Sequence, residues 1–343
     1  MKSICFDWGN TLMVDFPQYD GPMKDWPEVA CIPGVEETLK VLHTQYKLYV
    51  ATNASESSAE DVKKALERGK IAEYFSGIYT RNELQDEKPS LKFFYQVVKK
   101  TGDPALIYIG DDYTKDVLGA ANAGLATIWY NPIFAHAPGH IPIHDAEFAT
   151  FQQLPDILNR AMLPNLTTCQ YWLMEQPCKH NLFLHSFMVA AITYQLALWC
   201  NENGLTIDPI LVQRAAYLHD IGKLNRDLEC QHHGEAGAII LRDKGYPQLA
   251  QIVEKHPLLC LKDENQKPQT PEEILVYLAD KYTEGIRLVS LEERLSFLAG
   301  RYPDKREEIL SIEKDLLHLQ NACCNWVGFT PNEIVFQLQQ ALN

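Results

Sequence analysis

Ser3-Ile4-Cys5-Phe6-Asp7-Trp8-Gly9-Asn10-Thr11-Leu12 runs a short apolar stretch straight into a carboxylate and a Gly-Asn turn. Such a run, stopped by Asp, Gly and Asn, reads as a buried strand ending in a turn. A lone Asp after a strand is ordinarily just a turn residue, so the weight of this one depends on the residues further along the chain. Further strands are predicted at Lys47–Thr52, Gly77–Thr80, Ala105–Gly110, Ala126–Tyr130 and Glu147–Thr150. Amphipathic helices are predicted between them at Gly34–Gln45, Ser58–Arg68, Leu91–Thr101 and Asp116–Ala123. Strands alternating with helices at this spacing build a Rossmann-like, doubly wound α/β sheet, whose ligands bind at the carboxyl ends of the strands.

After about residue 151 the strand signal stops. Amphipathic segments at Ser186–Cys200, Asp208–His219, Glu235–Lys244 and Pro271–Gly285 make the second half read as all-helical. Pro164 and Asn165 interrupt the pattern between the halves, dividing the chain into domains 1–162 and 163–343. A chain of 343 residues is also too long for one ordinary core.

Composition narrows the function. With 46% hydrophobic and 22% charged residues, long disorder is not expected. A net charge of −14 repels phosphate polymers, which argues against general nucleic-acid or anionic-membrane binding. A bound metal inverts the field locally, so a small phosphorylated substrate stays open. The nine cysteines include no CxxC, the pattern of reduced thiols. No apolar run reaches the ~18 residues of a membrane helix and the N-terminus shows no apolar stretch before a cleavage site, so a cytoplasmic location is expected. Oligomeric state is left open.

Four signals fall at predicted strand ends: Asp7-Trp8-Gly9-Asn10-Thr11-Leu12, Thr52-Asn53, Lys88 in Glu87-Lys88-Pro89, and Gly110-Asp111-Asp112 followed by Asp116. A carboxylate at a strand tip can attack phosphorus or carbon. A hydroxyl and an ammonium can hold a phosphoryl group, and an acidic cluster can hold Mg²⁺. In this order they resemble the haloacid dehalogenase-like hydrolase superfamily over about residues 1–160. The resemblance implies Asp7 as nucleophile and Mg²⁺ ligand, Thr52 and Lys88 as phosphate holders, and Asp111 as a metal ligand supported by Asp112 or Asp116. It also exposes a departure. Phosphatases of that superfamily carry a second Asp, the general acid/base, where this chain has Gly9; only the Gly9 carbonyl remains to meet the metal. Three readings stay open: a substrate whose leaving group needs no proton, an acid borrowed from elsewhere, or a non-catalytic binding or regulatory module. The stretches Leu12–Pro33 and Thr52–Lys88 are too short for an inserted cap, so the site is expected to be open.

The second half carries His185, His219-Asp220-Ile221-Gly222-Lys223, His233, His256 and Asp280. Imidazoles and carboxylates together suit Fe, Mn, Zn or Co and can activate a bound water. A single His on an apolar helix face is usually a hydrogen-bonded core residue, and His180, His232 and His318 are read so, with His232 left as a competitor of His233. The ordered set of five helix-borne positions resembles the HD superfamily of metal-dependent phosphohydrolases over about residues 165–300, in its HDIG variant. The two additional histidines make it similar to two-metal members, such as bacterial enzymes that split diadenosine tetraphosphate. The resemblance implies one metal on His185, His219, Asp220 and Asp280, a second on Asp220, His233 and His256, and Lys223 against substrate phosphate. The expectation is a phosphohydrolase acting on a phosphomonoester or a nucleotide or dinucleotide polyphosphate, with a second, Asp-nucleophile centre in the N-terminal domain.

Overall fold

A computed structural model describes residues 2–160, 163–175, 180–223, 230 and 232–342; Met162, the expected end of the first domain, lies outside the described residues. The chain divides into two compact units, residues 1–135 with 143–162 and residues 136–142 with 163–343.

The first unit is a six-stranded parallel sheet: β1 (Ser3–Phe6), β2 (Lys47–Thr52), β3 (Phe75–Thr80), β4 (Ile107–Gly110), β5 (Ala126–Tyr130) and β6 (Ala146–Phe148). Their order is β3-β2-β1-β4-β5-β6, with β1 in register against both β2 (Phe6 opposite Val50) and β4 (Phe6 opposite Ile109). The order reverses between β1 and β4, and this switch point is where doubly wound sheets open a crevice. Strand alternation sorts the core. Ile4, Phe6, Ile107 and Ile109 face one side, with α1 (Val35–Leu42) and α2 (Ala59–Arg68). Cys5 and Tyr108 face the other, against Phe93, Phe94 and Val97 of the helix Leu91–Thr101. Burial on both faces is why Ile4, Cys5 and Phe6 of β1 are all apolar and do not alternate with polar residues. Ser58 caps α2 in a reciprocal box with Asp61.

Two predicted elements shift. The helix expected at Asp116–Ala123 instead begins with a π turn at Tyr113–Leu118 and turns α-helical only over Gly119–Asn122. Asp112 accepts from the amides of Thr114 and Lys115, while Asp116 accepts from the amide of Asp112 at 3.1 Å, so side chains take over the start of the ladder. The last strand ends at Phe148, not Thr150, because Gln153 Oε1 accepts from the amides of Ala149 and Thr150.

The second unit is largely helical. A long helix, His180–Glu202, packs against Pro209–Leu218, Pro271–Lys281 and Glu313–Val327, with His233–Asp243 and Pro247–Glu254 pairing alongside. Two expectations are corrected here. The predicted helix Pro271–Gly285 stops at Lys281 and gives way to a two-stranded hairpin, Thr283–Glu284 with Arg287–Leu288, turning on Gly285 at φ +65°. A positive φ suits glycine and ends a helix. The second correction concerns the long helix. Its stretch Asn181–Glu202, at mean hydropathy 1.5, is long and apolar enough by composition to cross a membrane, with 67% of the window buried inside the fold. Uncharged polar residues such as Ser186, Thr193 and Gln195 interrupt the apolar run without lowering its mean much, which a search for unbroken runs overlooks. All three are buried among the other helices, as in a central core helix.

Candidate active sites

At the switch point of the sheet, Asp7 leaves β1 with its amide bonded to the Ile109 carbonyl of β4 at 2.8 Å. That bond fixes it beside the end of β4, where Gly110 leads to Asp111. Lys88 reaches in from the opposite side. Its Nζ lies 2.5 Å from Asp7 Oδ1 and 2.6 Å from Asp116 Oδ1, and its side chain is 3% exposed. The loop bearing it is held by Asn53, whose Oδ1 accepts from the Lys88 amide and whose Nδ2 donates to the Lys88 carbonyl. Burial alone would lower the Lys88 pKa; Asp116 and Asp7 outweigh it and keep the ammonium charged. Asp111 is pushed up to about 6, first by burial and then by the nearby charge of Asp7.

Donor oxygens of Asp7, Asp111 and Asp116 lie within 4.8 Å of one another, a geometry open to a hard cation. Of the two alternatives for the supporting carboxylate, Asp116 joins this cluster. Asp112 instead caps the π turn and pairs with Lys115 at 3.0 Å. Gly110 makes room for it: a Cβ there would sit 2.3 Å from the Asp116 carboxyl carbon. Thr11, read in the sequence only as part of the turn, links the cluster by donating to Asp111 Oδ1 at 2.9 Å. A cavity of about 480 Å³ lies over these groups, lined also by Gly9, Thr52 and, from the short stretch after β1, Asp15, Tyr19 and Trp26. No inserted cap domain occurs among the described residues here, yet that short stretch walls one side.

In the helical unit, His219 and Asp220 follow directly on the helix Pro209–Leu218 and are fully buried. Donor atoms of His185, His219 and Asp220 lie within 4.8 Å of one another, as do those of Asp220, His233 and His256. Asp220 belongs to both groups. Asp280 joins the first, its Oδ1 3.0 Å from His185 Nε2 and 3.8 Å from His219 Nε2. His233 Nε2 and His256 Nε2 face each other at 2.9 Å, each about 3.5 Å from Asp220 Oδ1.

The ring orientations suit metal ligation. A carbonyl only accepts, so the Nδ1 atoms of His185, His219 and His256 carry the hydrogen they give to the carbonyls of Gly285, Ala216 and Val253. Each Nε2 lone pair then points into the cluster, the arrangement in which backbone carbonyls orient metal-binding imidazoles. His219 Nε2 is buried with no hydrogen-bond partner among the described residues, an orphan a metal would satisfy. Protonation agrees. Burial drives His219 down to about 3, and burial with His256 drives His233 down to about 3, so both are neutral. Asp220 and Asp280 are held well below the usual carboxylate range against burial, Asp220 by the His219 and His256 imidazoles and the Lys223 ammonium around it and Asp280 chiefly by Lys281. Neutral imidazole and ionised carboxylate are the forms metals bind.

Lys223 lies at the rim, half-exposed, with Nζ 2.6 Å from Asp220 Oδ2. His232 stays outside the cluster, capping the helix His233–Asp243 and meeting Gln266. Lys281, which periodicity and motif spacing do not single out, is buried between Asp280 Oδ2 (2.5 Å) and the His256 carbonyl (2.8 Å). Gly222 fits against the next helix so closely that a Cβ would lie 2.3 Å from the Gly237 nitrogen and 2.4 Å from the His233 carbonyl oxygen.

Fold and sites thus define a doubly wound α/β protein with a carboxylate–lysine centre, joined to a helical protein with a histidine–aspartate centre. The model of the family described as haloacid dehalogenase-like hydrolase matches residues 9–130, and that of the HD domain matches residues 182–285. Pyrimidine 5'-nucleotidase PynA of Streptococcus pneumoniae is 29% identical over 136 residues, 37% of this chain and 53% of that one. Uncharacterized protein MJ0778 of Methanocaldococcus jannaschii is 32% identical over 133 residues, 35% of this chain and 77% of that one. A solved structure of an uncharacterized protein from Listeria monocytogenes is 28% identical with a TM-score of 0.41, covering 46% of this chain and 97% of that one. The chain spans about half the length of PynA and 44% of pyrimidine 5'-nucleotidase YjjG of Escherichia coli. By its first unit the chain belongs to the haloacid dehalogenase-like hydrolases, and its second unit carries an HD domain.

Proposed function

We propose that this chain, as domains 1–162 and 163–343, is a cytoplasmic, metal-dependent hydrolase of phosphoric esters or anhydrides with its main activity in the HD domain. The observation that carries the reading is the pair of triads sharing Asp220, with the buried His219 Nε2 unpartnered beside them. The donor set fits two transition metals: His185, His219, Asp220 and Asp280 for one, and Asp220, His233 and His256 for the other. When bound, such metals lower the pKa of water and steady the leaving oxygen. The chain's own residues keep His219 and His233 neutral and Asp220 and Asp280 ionised, orient His185, His219 and His256 through backbone carbonyls, and offer Lys223 at the rim to a substrate phosphate. The substrate class is a phosphomonoester or a nucleotide or dinucleotide polyphosphate. Phosphate release over a panel of these tests it: His219→Ala should abolish the main activity while the fold survives. Loss of that activity in Asp7→Asn with Asp111→Asn instead would transfer it to the other domain.

The N-terminal site supports a second centre, with Asp7 as nucleophile, Lys88 and Thr52 holding the phosphoryl group, and Mg²⁺ on Asp7, the Gly9 carbonyl and Asp111. Gly9 favours a rival reading, a non-catalytic module serving the HD domain. Asp7-dependent phosphatase activity in the His219→Ala background separates the two.

A further inference from the structure

We propose that Asp15 is the proton donor and acceptor of the N-terminal site, a role that rests on reading Asp7 as its nucleophile. Cleaving an alkyl phosphate leaves an alkoxide that needs a proton, and most acidic groups lining this cavity are otherwise engaged. Asp116 lies under Lys88, Asp111 accepts from Thr11, and Asp112 caps a turn and pairs with Lys115. Asp15, Asp20 and Glu56 remain. Among the described residues the Asp15 carboxylate has no hydrogen-bond or ion-pair partner. Of the three, Asp15 lies against the backbone that follows Asp7: a Cβ built on Gly9 would sit 3.6 Å from both Asp15 Cβ and Asp15 Oδ2. Its carboxylate therefore occupies the space toward which a side chain at residue 9 would point.

Local backbone geometry brings residue 15 there, with its side chain exposed to solvent. Asn10 takes φ +56°, its amide donates to the Met13 carbonyl at 2.7 Å, and its Oδ1 accepts from the Asp15 amide at 3.1 Å. The chain doubles back over Gly9, and Asp15 arrives from the far side of the turn. Asn and Asp tolerate this left-handed conformation better than other non-glycine residues.

In the first step a carboxylate oxygen of Asp7 bonds to phosphorus. The bond from phosphorus to the leaving oxygen breaks with its electron pair on that oxygen, which takes the proton of the Asp15 carboxyl. In the second step water bonds to phosphorus and gives its proton to the Asp15 carboxylate. The bond to Asp7 breaks, releasing inorganic phosphate and restoring both side chains.

The test uses full-length protein with the HD site silenced by His219→Ala and compares an alkyl phosphate with p-nitrophenyl phosphate in Mg²⁺. Asp15→Asn should lower alkyl turnover by ~10²-fold or more, the span of general acid–base help. The first step on the aryl ester, whose leaving group needs little protonation, should fall far less. Because water activation is also lost, the variant should accumulate a phosphoryl adduct on Asp7, read by intact mass and absent from Asp7→Asn. Adding Gly9→Asp to Asp15→Ala, which vacates the space the Asp15 carboxylate fills, should recover alkyl turnover, since the Cβ at residue 9 itself meets nothing closer than 3.6 Å. Equal losses on both esters with no adduct, or no loss at all, overturn the role of Asp15 while leaving Asp7 as nucleophile. Absence of any Asp7-dependent turnover removes the nucleophile reading and this role together.

Discussion

Replacing Lys88 by methionine should destabilise the α/β unit more than loss of an ordinary lysine would. The Nζ lies 2.5 Å from Asp7 and 2.6 Å from Asp116, and the three side chains are only 3%, 10% and 1% exposed, so water screens the pair poorly. Methionine fills the stem's volume but leaves two carboxylates facing each other without a cation. Breaking a buried ion pair in this way costs about 3–5 kcal/mol. At ~2–4 °C per kcal/mol for a domain of this size, the unit's transition should fall by roughly 6–20 °C. The assay is thermal unfolding in chelator, then with Mg²⁺. A divalent ion on Asp7, Asp111 and Asp116 should offset part of the loss, by about 2.7 kcal/mol at a hundredfold excess over its Kd. A variant melting within about 2 °C of the parent in chelator would refute the reasoning, because the carboxylates would then not need Lys88 as counter-charge. Loss of stability with no response to Mg²⁺ would leave the lysine structural and the cation site unsupported.

Elemental analysis of protein purified without chelators should approach two transition metals per chain, falling to about one in His233→Ala with His256→Ala; one metal in the parent would count against the second triad. Lys281→Met should weaken metal binding by about 10–100-fold, as loss of a ligand's supporting contact does, measured by chelator competition; unchanged affinity would make Lys281 a packing residue only. Asp220→Ala should empty both triads at once, whereas His185→Ala should spare the second metal; equal losses would mean that the two groups are not separate sites.

Much of the fold was legible because burial writes itself into sequence. The apolar strands Ser3–Phe6 and Ala126–Tyr130 are sandwiched by helices and carry no polar alternation to misread. The residues at the switch point were legible as types at strand ends. Their connections were not, because Thr11 and Asn53, like Lys281 in the helical unit, act through hydrogen bonds across long sequence separations that periodicity does not record. The π turn at Tyr113–Leu118 escaped because side-chain bonds from Asp112 and Asp116 override backbone propensity there. The membrane-length helix was missed for the opposite reason: buried hydroxyl and amide groups break an apolar run without making its surroundings aqueous.

Gly222 has a consequence for which ions the helical unit can accept. The loop after Asp220 and the helix carrying His233 touch backbone to backbone, with no side chain between them. Backbone contact is hard and has one length, so this glycine works as a gauge block between the half of the pocket that holds His185 and His219 and the half that holds His233 and His256. A methyl group there needs about an ångström more than the 2.3–2.4 Å available before contact becomes ordinary near 3.4 Å. The helix would have to slide, carrying the His233 imidazole outward while His185 and His219 stay put. Gly222→Ala should therefore shift the protein's preference toward larger ions or toward a single ion, leaving every ligand in the sequence unchanged.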